Sequence, residues 1–188
     1  MSEQQPIKFL ENDKIYLRPY DPSDTEILYH SVYSAIGRKL TGTQRMFSRE
    51  GIASFIAKIV QDESRLDLVI CSQETDQVLG EVVINEIDFT NRSANIRIDL
   101  FDEAHYGKGY GTSAMLLMLG HAFGNLNLHR VSLGVFAFNQ RAIHVYEKLG
   151  FVREGVMRDY LYYDHEYHDQ IFMSILDHEF RKLHLKGN

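Results

Sequence analysis

The segment of residues 106–112, with the sequence YGKGYGT, constrains the fold of this chain more than any other stretch. Its glycines occupy every second position between a segment of β-type alternation, 94–101, and an apolar helical run, 112–123. A strand that turns through glycines into a helix directs several unpaired amide N–H groups at one spot, where the helix dipole also favours negative charge. Glycine clusters more often only close a turn, so a phosphate site and a simple turn are the two interpretations.

Length and composition fit one domain, 1–188, and 44% hydrophobic residues suffice for a sizeable core. We expect only residues 1–6 and 182–188 to be flexible. A net charge of −6 gives no general attraction for nucleic acid or an anionic membrane. The one cysteine, Cys71, excludes an internal disulfide and indicates a reducing, cytoplasmic location, with Cys71 itself a core residue. No run reaches the roughly 18 apolar residues of a membrane span, and a signal-peptide pattern is missing at the start.

Hydrophobic periodicity predicts a mixed α/β domain with a central, mostly antiparallel sheet and about four flanking helices. A strand, a helix and a second strand around the glycines predict one parallel crossover within that sheet. Residues 37–47 fit a loop that lines a substrate cleft. The predicted helices are 21–34, a helix that begins near 48, 112–123 and 139–149, and the predicted strands are 15–17, 66–71, 78–84, 94–101, 131–136 and a long hairpin from 151 that turns near 164–166.

A second motif, FNQRAIHVYEKLGF, occupies residues 138–151. Asn139 is placed to cap a helix, and Tyr146 lies seven positions later on nearly the same helical face. For an isolated helix, an N-cap and a core tyrosine explain both residues. The order of glycine segment, buried helix, strand and Asn-capped helix favours a functional interpretation instead.

With these two motifs the chain resembles the GNAT superfamily of acyl-CoA-dependent N-acetyltransferases. Residues 106–112 are similar to the pyrophosphate loop of the family, and 139–151 to its second cofactor motif. The long C-terminal hairpin is similar to that of ribosomal-protein N-terminal acetyltransferases and spermidine N-acetyltransferases, and the likeness is strong from 78 to 176. One departure is that Tyr106 occupies the position where the family has glutamine or arginine.

The resemblance implies a single-domain GNAT-like fold, acetyl-CoA as the acyl donor, and no metal. It implies phosphate contacts from backbone donors, with the charge of Lys108 nearby, and oxyanion stabilisation by N–H groups near Leu100 and Phe101. The implied cofactor-binding residues are Leu100, Phe101, Gly107, Lys108, Gly109, Tyr110, Gly111, Thr112, Asn139 and Tyr146.

Acyl transfer to an amine also needs acid and base catalysis. An amine with a solution pKa of about 10 is mostly protonated at neutral pH, so the site has to remove a proton. The candidate carboxylates are Glu81, Glu86 and Asp99, although a strand carboxylate of this kind is more often a solvated or ion-paired residue than a catalytic one. The resemblance gives Tyr146 the role of protonating the departing thiolate.

The first functional hypothesis is direct acetyl transfer, in a ternary complex, to a primary amine: a protein N-terminus or a small amine such as a polyamine. The alternative is a non-catalytic acyl-CoA-binding or sensing module, which the altered position Tyr106 favours and Tyr146 disfavours. Nucleotide binding by the glycines is disfavoured because no Gly-Lys-Ser/Thr ending follows them.

The C-terminal hairpin carries acidic residues that fit either a solvated surface or an attraction for a polyamine or basic peptide. His165 and His168 at its tip fit exposed side chains better than a metal site. Its aromatic residues offer material for a homodimer contact. The acidic residues are Asp159, Asp164, Glu166 and Asp169, and the aromatic ones are Tyr160, Tyr162, Tyr163, Tyr167 and Phe172.

Overall fold

The computed structural model describes residues 6–185. In this part of the chain one sheet of eight strands has the order β1-β2-β3-β4-β5-β6-β8-β7. Its neighbouring strands are antiparallel except for β5 and β6, which are parallel, so the predicted mixed sheet with one parallel crossover is confirmed. The strands are β1 (Leu10–Glu11), β2 (Ile15–Pro19), β3 (Leu66–Ser72), β4 (Val78–Asp88), β5 (Ser93–Leu100), β6 (Arg130–Phe136), β7 (Val152–Tyr163) and β8 (Glu166–Leu176).

The described residues form six α-helices, where the sequence predicted about four. Two short 3-10 turns, Pro22–Asp24 and Glu103–His105, precede α1 and the glycine segment. None of the helices is long and apolar enough to cross a membrane, within the part of the chain that is described. The helices are α1 (Thr25–Ser31), α2 (Ala35–Thr41), α3 (Arg49–Ile59), α4 (Tyr110–Gly124), α5 (Gln140–Leu149) and α6 (Asp177–His184).

The region between α1 and α3 differs from its prediction. The helix expected over 21–34 is shorter, because α1 ends at Ser31, and the loop expected over 37–47 begins with the second part of α2. The Ser34 side chain accepts a hydrogen bond from the Gly37 N–H and caps α2, a signal that outweighs its weak apolar spacing. Gly42, with φ +67°, then ends the helix in the left-handed conformation.

The structure also tests the predictions for the ends of the chain and for the borders of the two motifs. Residues 182–184, expected to be flexible, belong to α6, whereas 1–5 and 186–188 lie outside the described residues. The Asn139 side chain caps α5 as predicted, and Gly150 ends that helix with φ +100°. Helix α4 begins two residues before the predicted 112.

The core occupies both faces of the sheet. On one face α4 packs with almost every side buried, and Ala114, Met118 and Leu119 are completely inaccessible. On the other face α1 and α3 cover a smaller cluster that contains Cys71, which is buried as expected. Each fully buried leucine or methionine stabilises the fold by about 1.5–3 kcal/mol.

The parallel strands β5 and β6 separate after their first three paired residues, and the candidate site lies where they separate. They pair only over 93–95 and 130–132, after which β5 continues to Leu100 and β6 pairs with β8 alone. A wedge-shaped gap therefore opens between the carboxyl ends of the two strands. Open sheets commonly bind ligands at such a place.

Candidate active site

The gap between β5 and β6 leads into a cavity of about 530 Å³, called here the gap cavity. Its walls include β5 residues 95–100, the glycine segment and the first two turns of α5, and residues of α2 and β6 also line it. The sequence analysis singled out the first three of these stretches. Its volume lies within the range of small-molecule and cofactor sites.

The glycine segment presents free backbone donors to this cavity. Gly109 has φ +85° and stands at the N-cap of α4 without a side-chain cap. The Ser113 N–H donates to the Gly109 carbonyl at 2.9 Å, so the preceding amides of Tyr110, Gly111 and Thr112 have no acceptor within the helix. These donors, with the positive end of the dipole of a 15-residue helix, are the groups with which helix N-termini bind anions.

Two cationic side chains beside these amides were missed by the sequence reasoning. A Cβ atom added at Gly109 would lie 3.3 Å from Lys14 Nζ, in the turn between β1 and β2. The Arg141 guanidinium lies over the Tyr106 ring, 3.8 Å from its centroid, and both residues line the cavity. Lys108, the cation that the sequence suggested, is not among the lining residues.

Tyr106 fills the position that departs from the family pattern. Burial, followed by the nearby charge of Asp99, raises the pKa of its phenol, and Arg141 acts in the opposite direction. Its hydroxyl contacts the Leu100 carbonyl oxygen at 3.5 Å. The ring serves as a platform that holds Arg141 at the cavity wall.

Tyr146 lines the same cavity from α5. Burial first, and the charge of Asp99 second, raises the pKa of Tyr146 to about 12, so the phenol keeps its proton at neutral pH. Among residues 6–185 its hydroxyl has no hydrogen-bond partner, which leaves it available to a ligand. Asn139 also lines the cavity, while its Oδ1 accepts the Ala142 N–H at 3.2 Å.

Two of the three predicted carboxylates come together. Glu81 and Asp99 are register partners on β4 and β5 and both line the cavity. Burial, then the charge of Glu81, raises the pKa of Asp99 to about 7, and Arg97 offsets part of this rise. A carboxylate with such a pKa can exchange a proton near neutral pH.

Glu81 is engaged by neighbouring side chains and Glu86 is elsewhere. The Tyr20 hydroxyl donates to Glu81 Oε2 at 2.6 Å, and Arg97 Nη2 lies 3.4 Å from Glu81 Oε1. Glu86 is exposed, sits at an irregularity of β4 with φ +54°, and does not line the gap cavity. Asp99 is therefore the better-placed proton acceptor of the three.

Of the two backbone N–H groups expected to stabilise an oxyanion at the end of β5, only that of Leu100 is available. The Phe101 N–H already donates to the Leu79 carbonyl at 3.0 Å, so it cannot stabilise an oxyanion, which corrects that expectation. Because amides alternate in direction along an antiparallel strand, the Leu100 N–H points away from β4 and into the gap. Gly80 permits this close strand approach, since a Cβ there would lie 2.1 Å from the Asp99 carbonyl oxygen.

A second cavity of about 490 Å³, called here the helix cavity, lies between the sheet and helices α1 to α3. It shares Thr41, Thr43, Glu81, Arg97 and Asp99 with the gap cavity. Asn85 also lines it, and the buried Oδ1 of this residue has no hydrogen-bond partner among the described residues. Two ligands, one in each cavity, would therefore meet at the carboxylate pair.

Comparisons with known proteins identify the family of this chain. A family model described as acetyltransferase (GNAT) domain matches residues 14–152. Spermidine N(1)-acetyltransferase of Escherichia coli K12 is 34% identical over 128 residues, which cover 68% of this chain and 67% of that enzyme. Spermidine N(1)-acetyltransferase of Vibrio cholerae is 35% identical over 103 residues, 55% of this chain, and the match spans only 59% of that enzyme.

A solved structure extends the similarity to nearly the whole chain. The spermidine N-acetyltransferase of Vibrio cholerae, in complex with CoA and spermine, superposes with a TM-score of 0.84 and 25% identity. The superposition covers 90% of this chain and 99% of that one.

Proposed function

From the premise that this chain belongs to the GNAT family of N-acetyltransferases, we propose that it transfers acetyl from acetyl-CoA directly to a primary amine. The observation that carries the proposal is the meeting of the two cavities at Asp99 and Glu81. The gap cavity takes the donor and the helix cavity takes the acceptor, so both substrates are bound at once. No covalent enzyme intermediate is needed.

The donor is held by its phosphates at the N-terminus of α4. The free amides of 110–112 supply backbone donors, and Lys14 and Arg141 supply charge. Because Arg141 stands beside Tyr106, a guanidinium is present where the usual motif side chain is missing. This supports donor binding despite the departure at Tyr106.

The chemistry follows from three groups of the site. Asp99, directly or through a water molecule, accepts the proton that the amine has to lose, and the new C–N bond forms at the thioester carbonyl. The Leu100 N–H stabilises the resulting oxyanion. The C–S bond then breaks, and Tyr146 gives its proton to the departing sulfur. Burial, and after it the charge of Glu81, keeps the pKa of Asp99 high.

The acceptor is a small amine or the N-terminus of a peptide or protein. The unpartnered Asn85 Oδ1 in the helix cavity supports an N–H donor there. The alternative, a non-catalytic acyl-CoA-binding or sensing module, rests on Tyr106, and the retained Asp99 and Tyr146 favour the enzyme. With its only cysteine buried and unpaired, the chain suits the cytoplasm.

The edge strand β7 supports a homodimer. Its residues 152–160 are all exposed, and they include the apolar side chains of Val152, Val156 and Met157. An exposed apolar edge strand is a ready surface for pairing with a second copy.

The test of the proposed function is release of free thiol from acetyl-CoA across a panel of amines. We expect thermal stabilisation by CoA but not by ATP or NAD, and turnover with at least one amine. Stabilisation by CoA without turnover of any amine would favour the sensing module. If CoA does not stabilise the protein and no amine is turned over, acetyl transfer is refuted.

A further inference from the structure

The helix cavity has an unusual charge for an amine site. Its lining contains four arginines and only two carboxylates, Glu81 and Asp99. Resting on the acetyl transfer proposed above, we propose that the acceptor amine also carries an anionic group, a carboxylate or a phosphate, bound by Arg38 and Arg45. The four arginines are Arg38, Arg45, Arg65 and Arg97.

Two of these arginines are already neutralised. Arg65 holds Asp67 with two hydrogen bonds, from Nε at 2.6 Å and from Nη2 at 2.7 Å. Arg97 lies 3.4 Å from Glu81, so these two charges balance across the shared wall of the cavities. Neither pair leaves a cation free for a ligand.

Arg38 and Arg45 differ from them because, within residues 6–185, neither forms a salt bridge with a carboxylate. Arg38 Nη1 donates to the Arg45 carbonyl oxygen at 3.1 Å, which links the two residues. The Arg45 guanidinium lies 4.7 Å from the centroid of the Phe47 ring. These contacts restrain two guanidinium groups while most of their N–H donors stay available, and such groups suit carboxylate and phosphate.

Helix α3 adds to the positive potential of the same cavity. Ser48, its N-cap, and Gly51, in its first turn, both line the cavity. The positive end of this 11-residue helix therefore faces the bound ligand. Glu50, the acidic residue of the first turn, is exposed and is not among the lining residues.

A polyamine fits this lining poorly. Its second cationic group would stand near uncompensated arginines, and like charges at close range repel. The acidic residues of the hairpin, Asp159, Asp164, Glu166 and Asp169, do not line the helix cavity. The acceptor class therefore differs from the one in the names of the spermidine N-acetyltransferases that this chain resembles.

The test compares matched acceptors: ethanolamine, β-alanine and O-phosphoethanolamine, with spermidine as the polycation. We expect kcat/KM for β-alanine or O-phosphoethanolamine to exceed that for ethanolamine by about tenfold or more. The reason is that only the two anionic acceptors form charge-assisted hydrogen bonds with Arg38 and Arg45. The two anionic acceptors distinguish carboxylate from phosphate. Equal use of ethanolamine, or preference for spermidine, would overturn the proposal.

Variants connect that preference to the two arginines. The double variant Arg38→Gln/Arg45→Gln is expected to lose the preference, so that its kcat/KM for β-alanine or O-phosphoethanolamine falls to its own value for ethanolamine. Arg49→Gln is the matched control, because Arg49 is a nearby arginine that pairs with Glu26 and lines neither cavity. An unchanged preference in the double variant, or an equal loss in the control, would contradict the proposal.

A binding measurement separates this inference from the proposed function. Titration calorimetry of O-phosphoethanolamine and β-alanine into the CoA-bound protein needs no turnover. If no amine is acetylated, acetyl transfer fails, but binding of either compound that the double variant loses still supports the anion site. If neither compound binds, or if the double variant binds it equally well, the anion site is refuted.

Discussion

The Arg141 guanidinium carbon lies 3.8 Å from the centroid of the Tyr106 ring, at the wall of the gap cavity. A residue of α5 thus stands beside the glycine segment that begins α4. The contact brings a cation to the place where the motif of the family would carry its own polar side chain. Variants of Arg141 and Tyr106 therefore test whether this cation contributes to donor binding.

Arg141→Gln should raise KM for acetyl-CoA by roughly tenfold with a smaller change in kcat, because one charge-assisted phosphate contact is worth about 1.5–3 kcal/mol. Tyr106→Phe keeps the ring and should bind like the parent protein, whereas Tyr106→Ala should resemble Arg141→Gln. Steady-state kinetics at two salt concentrations checks this. Arg153→Gln, which removes an exposed arginine paired with Glu147, is the control, and an unchanged KM in Arg141→Gln would contradict the assignment.

Tyr146→Phe should lower turnover at least tenfold and leave acetyl-CoA affinity nearly unchanged. The substitution removes only the hydroxyl that we propose as the proton donor to the sulfur, and the ring still fills its place in α5. Single-turnover rates with titration of CoA separate the two effects. Tyr160→Phe, at an exposed position on β7, should behave as the parent protein. Full turnover in Tyr146→Phe would remove Tyr146 from the mechanism.

The rate should rise with pH through about 7, because Asp99 accepts a proton only when it is ionised and its pKa is raised to about 7. Asp99→Asn should abolish this limb of the kcat/KM profile and reduce the rate roughly 100-fold or more. Glu81→Gln should move the limb to lower pH, since the charge of Glu81 is one cause of the raised pKa. A limb that persists in Asp99→Asn would identify another base.

Gly109→Ala should weaken CoA binding and destabilise the fold. A non-glycine residue at φ +85° costs about 1–2 kcal/mol, and the new Cβ would stand 3.3 Å from Lys14 Nζ. Thermal melts with and without CoA give both effects. Gly120→Ala, within α4 and with open space around the new Cβ, should instead raise the Tm slightly. If Gly109→Ala has the same Tm as the parent protein both with and without CoA, Gly109 has no role in CoA binding or in the stability of the fold.

The sequence pattern was sufficient for most of the sheet, because short apolar runs between turns mark β3 and β4, alternation marks β5, and the glycine segment requires a crossover. It was insufficient for α2, whose seven residues AIGRKLT lack a clear apolar stripe and depend on the Ser34 cap. Capping signals of this kind can be found in a sequence, but they are weak evidence when the periodicity is absent.

The site was predictable only where its residues are local in the chain. The amides of 107–112 and the pair Asn139 and Tyr146 follow from motifs, but Lys14 reaches Gly109 across 95 positions of sequence. The choice among carboxylates needs the register of β4 against β5, which opposes Asp99 to Glu81 and leaves Glu86 outside. Strand register depends on turn geometry as well as on the hydrophobic pattern, and the irregularity between Asn85 and Asp88 in β4 left no signal that we recognised in the sequence.

The early separation of β5 from β6 leaves an interior sheet edge. From Ile96 to Leu100, every second backbone N–H and C=O of β5 points into the gap, where no strand pairs with it in the described chain. Within the described chain β5 therefore lacks several ladder hydrogen bonds, each worth about 0.5–1.5 kcal/mol. On the proposed function, we expect a donor molecule with amide groups along its length to lie in the gap and pair with these groups of β5, so that its binding extends the sheet.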